Sequence, residues 1–126
     1  MIKYHYNLLE DIKRQWYCWE DRKWIKEHNI VYFYPNPLRA IVILYRLLTR
    51  SFTCQVDEDV DCYWVTGGNW GGYEEPNKIF ICPVKRSPEF IKNVIRHEII
   101  HLKCEPDVQG MTHEEKEAYV VSKQTV

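Results

Sequence analysis

The order of periodic segments predicts a single α+β domain spanning residues 1–126. Three observations carry this expectation. Helical spacing dominates both ends of the chain. Short β-like runs gather in its middle, between turn-forming residues. No internal repeat, low-complexity segment or linker interrupts the sequence.

Taken in order, residues 4 to 28 read as one long helix, because Leu8, Ile12, Trp16 and Trp19 recur at helical spacing with charges between them. Ile30 to Tyr34 is a short β-like run that Pro35-Asn36-Pro37 stops. Leu38 to Leu48 is apolar almost all round, apart from Arg39 and Arg46, which suits a helix buried against a sheet. Phe52 to Val56 and Cys62 to Thr66 read as strands separated by the acidic turn Asp57-Glu58-Asp59. The stretch Gly67 to Gly72 reads as a turn, or as a flap over a cleft. Tyr73 to Asn77 follows it, and Pro76-Asn77 turns into a strand at Lys78 to Cys82.

Ser87-Pro88 opens the next helix, since Ser caps well and Pro is tolerated at the first helical position. That helix should end near Cys104, because Pro106 disfavours helical geometry at Glu105. Gly110 and Met111 lead into a last helix, for which Thr112 and Glu115 have capping-box spacing.

The totals exclude some classes of function. Lys plus Arg number 17 and Asp plus Glu 18, so the chain lacks the excess of positive charge expected of a dedicated nucleic-acid binder. The basic and aromatic stretch Lys13-Arg14-Gln15-Trp16-Tyr17 reads as an ordinary amphipathic helix, with contact to nucleic acid as the alternative. A polar start without an apolar h-region argues against a secretory leader, and the longest apolar run, Ala40 to Tyr45, is too short for a bilayer. The expected location is the cytoplasm. The five cysteines, Cys18, Cys54, Cys62, Cys82 and Cys104, form no C-x-x-C pair and read as buried free thiols, with a Cys54–Cys62 disulfide as the alternative.

The chemistry lies in His97-Glu98-Ile99-Ile100-His101. Two histidines four apart sit one turn apart on one helical face, where both can ligate one metal, most naturally zinc. The intervening glutamate is near enough to act on a water and turned too far to ligate. At about 100° per residue, Phe90, Val94, His97 and His101 share one arc, beside Glu98 and the apolar arc of Ile91, Ile95, Ile99 and Leu102. The histidines therefore border the core. A catalytic zinc generally takes three protein ligands and water, so a third is expected downstream, from His113, Glu114 or Glu117. On the last helix Ala118, Val120 and Val121 form an inward stripe with Glu117 among them, while Glu115, Lys116 and Lys123 point away. Ligation would relieve the cost of burying the Glu117 carboxylate. His5 and His28 fall outside any ligand pattern and read as surface residues.

The run from His97 to Val120 resembles the gluzincin peptidases, which bind zinc through H-E-x-x-H and a glutamate on a following helix. In its short length and order of elements the chain is most similar to the minigluzincins. The resemblance implies a small zincin-like domain, a mixed sheet backed by helices, with an active-site helix and a glutamate helix. It implies zinc at His97, His101 and Glu117, Glu98 as general base, and hydrolysis of peptide bonds in a peptide or protein. It also implies a substrate strand near Trp70 to Glu75, with Trp70 and Tyr73 touching the peptide. The first helix has no counterpart in this resemblance, Val121 stands where larger members often carry an aspartate, and no transition-state donor is identified. The competing readings are a zinc-binding module without turnover, with Cys104 closing the site, and a peptidase acting on a DNA-bound regulator.

Overall fold

A computed structural model describes residues 1–28, 30, 32, 34, 36–49, 54–83 and 87–124. Its first elements correct the expectation of one helix over residues 4 to 28. Ile2–His5 forms strand β1, Leu8–Glu20 helix α1, and Arg22–Glu27 helix α2. Residues 2 to 5 pair in parallel with residues 60 to 63, so a partner far along the chain defines β1 and no local period reports it. Asn7 ends the extended stretch: its side chain accepts a hydrogen bond from the Glu10 backbone N–H at 3.1 Å and caps α1. The two helices meet at Asp21, whose φ of −92° and ψ of 10° leave helical geometry.

Helix α3 occupies Pro37–Thr49. Its expected burial is only partly realised. Ile43 is fully buried and Leu47 packs beside it, whereas Leu38, Ile41, Tyr45 and Leu48 are exposed, Leu48 to 84 %. One face of the helix meets the core, and no described element covers the other.

Strands β2 (Val60–Trp64), β3 (Gly71–Glu74) and β4 (Lys78–Ile81) complete a mixed sheet in the order β1-β2-β4-β3. The β1–β2 and β2–β4 pairs are parallel, and β3 pairs antiparallel with β4, which makes β3 an outer strand. With α4 (Pro88–Cys104) and α5 (His113–Gln124) the described residues form an α+β domain of four strands and five helices. The strand expected at Cys62 to Thr66 begins and ends two residues earlier. Those expected at Ile30 to Tyr34 and Phe52 to Val56 lie partly outside the described residues, and 30, 32, 34 and 54–56 take no strand conformation.

Alternation along the strands divides the core. Val60, Cys62 and Trp64 of β2 and Ile79 and Ile81 of β4 pack with Ile43 of α3 and Ile91, Ile95 and Ile99 of α4. Phe80 faces the other way with Val65, Cys82 and Tyr63, under Arg14 of α1. All five cysteines are buried and free, Cys54 and Cys62 included, so the disulfide alternative does not hold. None of the described helices is long and apolar enough to cross a membrane.

A buried carboxylate ties α1 to the sheet. Asp11 accepts hydrogen bonds from the Thr66 backbone N–H (3.1 Å), the Thr66 hydroxyl (2.9 Å), the Tyr6 hydroxyl (2.9 Å) and the Gln15 amide (3.1 Å). No described cation pairs with it, so these donors alone offset its desolvation. Asp11→Ala leaves the Thr66 donors buried without an acceptor and should lower stability by about 2–4 kcal/mol. Leu48→Ala should change it by less than about 0.5 kcal/mol. Chemical denaturation of the two variants checks the contrast.

Candidate metal centre

Ile91, Ile95 and Ile99, spaced one turn apart and buried in the core, fix the rotation of α4. That rotation carries His97, Glu98 and His101 to the core's border. The helix starts as expected: the Ser87 side chain accepts from the Phe90 N–H at 3.2 Å, with Pro88 at the first helical position. It gives way at Cys104 to a 3-10 turn, Glu105–Asp107. Gly110, at φ +84°, reverses the chain toward α5. There Thr112 Oγ1 accepts from the Glu115 N–H at 3.2 Å.

The face that α5 turns inward differs from the expected stripe. Val120 is fully buried, but Ala118 and Val121 are exposed, while Lys116 and Glu117 are half-buried. The inward arc is therefore 116, 117 and 120, and Glu117 stays on it. With so few apolar residues in α5, the register of its stripe is weakly specified by sequence.

His97, His101 and Glu117 converge, each offering a ligand atom within 4.8 Å of the others, and the group could hold a metal ion. Glu117 Oε2 lies 3.0 Å from His97 Nε2, and Oε1 lies 2.9 Å from His101 Nε2. The two Nε2 atoms are 3.1 Å apart. Protons on both nitrogens would satisfy the carboxylate but set two N–H groups against each other. A cation at the point of convergence satisfies all three groups. Ligands at zinc distances in a tetrahedron stand about 3.3 Å apart, close to the spacing observed. His97 is oriented from behind, its Nδ1 lying 2.9 Å from Gln124 Oε1, which fixes Nδ1 as the protonated nitrogen and leaves Nε2 for the site. His101 stacks on the Tyr73 ring at 4.8 Å between centroids.

The electrostatics agree with this geometry. Hydrogen bonding to Glu117 lifts His97 to about 9, against the opposing effect of burial. Burial alone would raise Glu117, but hydrogen bonds from His101 and His97 outweigh it and hold the carboxyl well below the ordinary range.

Glu98 is 8 % exposed and stands outside the convergent group. It makes no hydrogen bond with a described residue. Burial raises its pKa, and interactions with His101, His97 and Arg14 partly oppose the rise. Its place depends on Gly71. A Cβ there would stand 2.8 Å from Val94 Cγ1 and 3.2 Å from Glu98 Oε1, so α4 approaches β3 this closely only over a glycine.

A cavity of about 940 Å³ opens over these groups, between α1, α2, β3, α4 and α5. Trp70 and Tyr73 both line it. The Tyr73 hydroxyl donates to Glu105 Oε2 at 2.7 Å, and Trp70 packs edge-on against Phe90.

Other candidates lie elsewhere. His113 packs edge-on against Trp24 and His28, and Glu114 lies 3.5 Å from His28 Nε2. His5 and His28 are half-buried rather than surface residues: His5 Nε2 sits 2.9 Å from Asp61 Oδ1, and His28 Nδ1 donates to the Trp24 carbonyl. Cys104 is buried and apart from the group. Sequence reasoning missed Gln124, Gly71 and Arg14. Of these only Gln124 had a local signal, lying two turns beyond Glu117 on one helical face. Set against known proteins, the chain matches no family model, no curated protein and no solved structure.

Glu117→Ala should abolish tight metal binding, Gln124→Ala should weaken it about tenfold, and His113→Ala should leave it unchanged; calorimetric titration with zinc measures all three. Stability of the metal-free protein should also depend on pH. A folded-state His97 value near 9, above the unfolded 6.5, gives stability that is full below pH 6.5 and lost as pH rises through about 9. The depressed Glu117 acts in the other direction, its contribution being present above the unfolded value of 4.5 and lost in acid. Thermal melts in chelator across pH 6 to 10 should therefore show a fall toward high pH, and zinc should remove it.

Proposed function

We propose that this chain is a zinc-dependent peptidase of the gluzincin type, with His97, His101 and Glu117 as ligands and Glu98 as general base. The observation that carries the reading is the placement of a buried, unpaired glutamate beside a three-ligand cluster at the mouth of a cavity floored by an outer strand. Zinc, when bound, would supply a Lewis acid for a carbonyl oxygen and acidify a water held there.

The chain's own residues account for the remainder. Glu98, with its pKa raised by burial, takes the proton of the attacking water and passes it to the leaving amine. Strand β3 offers a free edge, onto which an extended peptide pairs through its backbone. Tyr73 and Trp70 flank that edge and contact the substrate peptide or protein. Tyr73 also restrains the His101 ring.

The competing readings find less support. A structural zinc would need a fourth protein ligand, and Cys104, the candidate, lies outside the convergent group. The stretch from Lys13 to Tyr17 does not present one surface to nucleic acid, since Arg14 and Tyr17 line the cavity while Trp16 faces outward.

Glu98→Gln should keep one zinc per chain and the parent's melting temperature, and lower hydrolysis of a casein or peptide-library substrate on the order of a hundredfold or more. Parent-level cleavage by this variant would refute the assignment of the base.

A further inference from the structure

On β3, consecutive residues point to opposite faces of the sheet. Gly71 faces α4, where an added Cβ would meet Val94 and Glu98. Gly72 faces α1, where an added Cβ would overlap the guanidinium of Arg14. The two glycines thus bring a catalytic-type carboxylate and an arginine against the two faces of one outer strand, and both line the same cavity.

Arg14 is held in place without a salt bridge to any described residue. Its Nη2 donates to Asn69 Oδ1 at 2.9 Å, and its guanidinium stands 5.1 Å from the centre of the Phe80 ring and 5.3 Å from that of Tyr17. Two rings and an amide fix the plane of the group. No described carboxylate forms a salt bridge with it, although Asp21 shares the cavity. A half-buried guanidinium that interacts with the Glu98 carboxyl only at a distance, outside salt-bridge contact, is incompletely compensated for its desolvation, and its planar fork matches a carboxylate.

We infer that Arg14 forms a subsite for a substrate carboxylate. This rests on the peptidase reading, in which an extended peptide lies along β3. Such a peptide sends alternate side chains to opposite faces. Those on the Gly71 side face Glu98 and the metal ligands, and those on the Gly72 side face Arg14. The substrate class is then a peptide with Asp or Glu at a position beside Gly72, or one whose terminal carboxylate reaches the same place.

The test uses zinc-loaded Glu98→Gln protein as a non-cleaving binder. Its probe is a positional library of C-amidated octapeptides, with a neutral set bearing free C-termini as a second arm. Acidic residues at one position should bind about tenfold better than their amides. Arg14→Gln should erase that preference while zinc content and binding of neutral peptides persist. Gly72→Ala should do the same, because the added methyl displaces only the flexible end of Arg14. If the preference appears only in the free-terminus arm, the subsite stands and reads the terminal carboxylate. Equal binding of acidic and amide peptides, a preference that survives both substitutions, or an Arg14→Gln loss shared equally by neutral peptides would overturn the inference. Cleavage by the protein with Glu98 intact is measured separately. Acidic preference without cleavage refutes the peptidase reading alone, and cleavage without preference refutes the subsite alone.

Discussion

The meeting of two imidazoles and one carboxylate at a single point is the constraint on which the C-terminal third of the molecule depends. Helix α5 has Val120 as its one buried residue, too little apolar surface to set its position. The Glu117 carboxylate, facing both Nε2 atoms, supplies the missing specification, and Gln124 repeats it from two turns further on. On the opposite helix the isoleucines of α4 set the rotation that brings the histidines to this point. One helix is therefore placed by burial and the other by polar geometry.

Strand β3 is the second organising feature. It is short, it lies at the edge of the sheet, and its first two residues lack side chains. These traits would make a weak strand anywhere else. Here they allow α4 to press against one face and Arg14 against the other, so that the Glu98 carboxyl and a guanidinium come within reach of one backbone. Tyr73, the next residue, joins the strand to α4 through the His101 ring and to the 3-10 turn that follows it through the Glu105 carboxylate. Lys116 of α5 lies 3.9 Å from that same carboxylate.

Local signals in the sequence proved faithful to the structure. Ser87 and Thr112 cap their helices through neighbours three residues away, and the histidine pair lies within one helical turn, so short-range spacing suffices to place them. Glu117 was reached through the apolar stripe of α5, although that stripe was assigned to Ala118 and Val121, which are exposed. Non-local determinants were not legible. β1 exists because Ile2 to His5 pair with residues far downstream, and the break between α1 and α2 at Asp21 involves neither Pro nor Gly. The apolar character of α3 suggested full burial, but composition cannot report how many faces a helix finds covered. Arg14 looked like one charge of an amphipathic helix, and only the fold brings it to Asn69 and Gly72.

The recessed position of β3 bears on which proteins can reach it. Helices wall the cavity beside its edge, so a strand that adds there has to arrive as a single chain, detached from sheet neighbours of its own. A folded domain presents such a segment only while it is locally open. An opening free energy of about 4 kcal/mol leaves roughly one molecule in a thousand in that condition. On the proposed reading, selection at this groove would act on the mechanical looseness of a partner before it acts on sequence: frayed termini, long linkers and partly unfolded chains would enter freely, while well-packed domains of identical composition would be passed over.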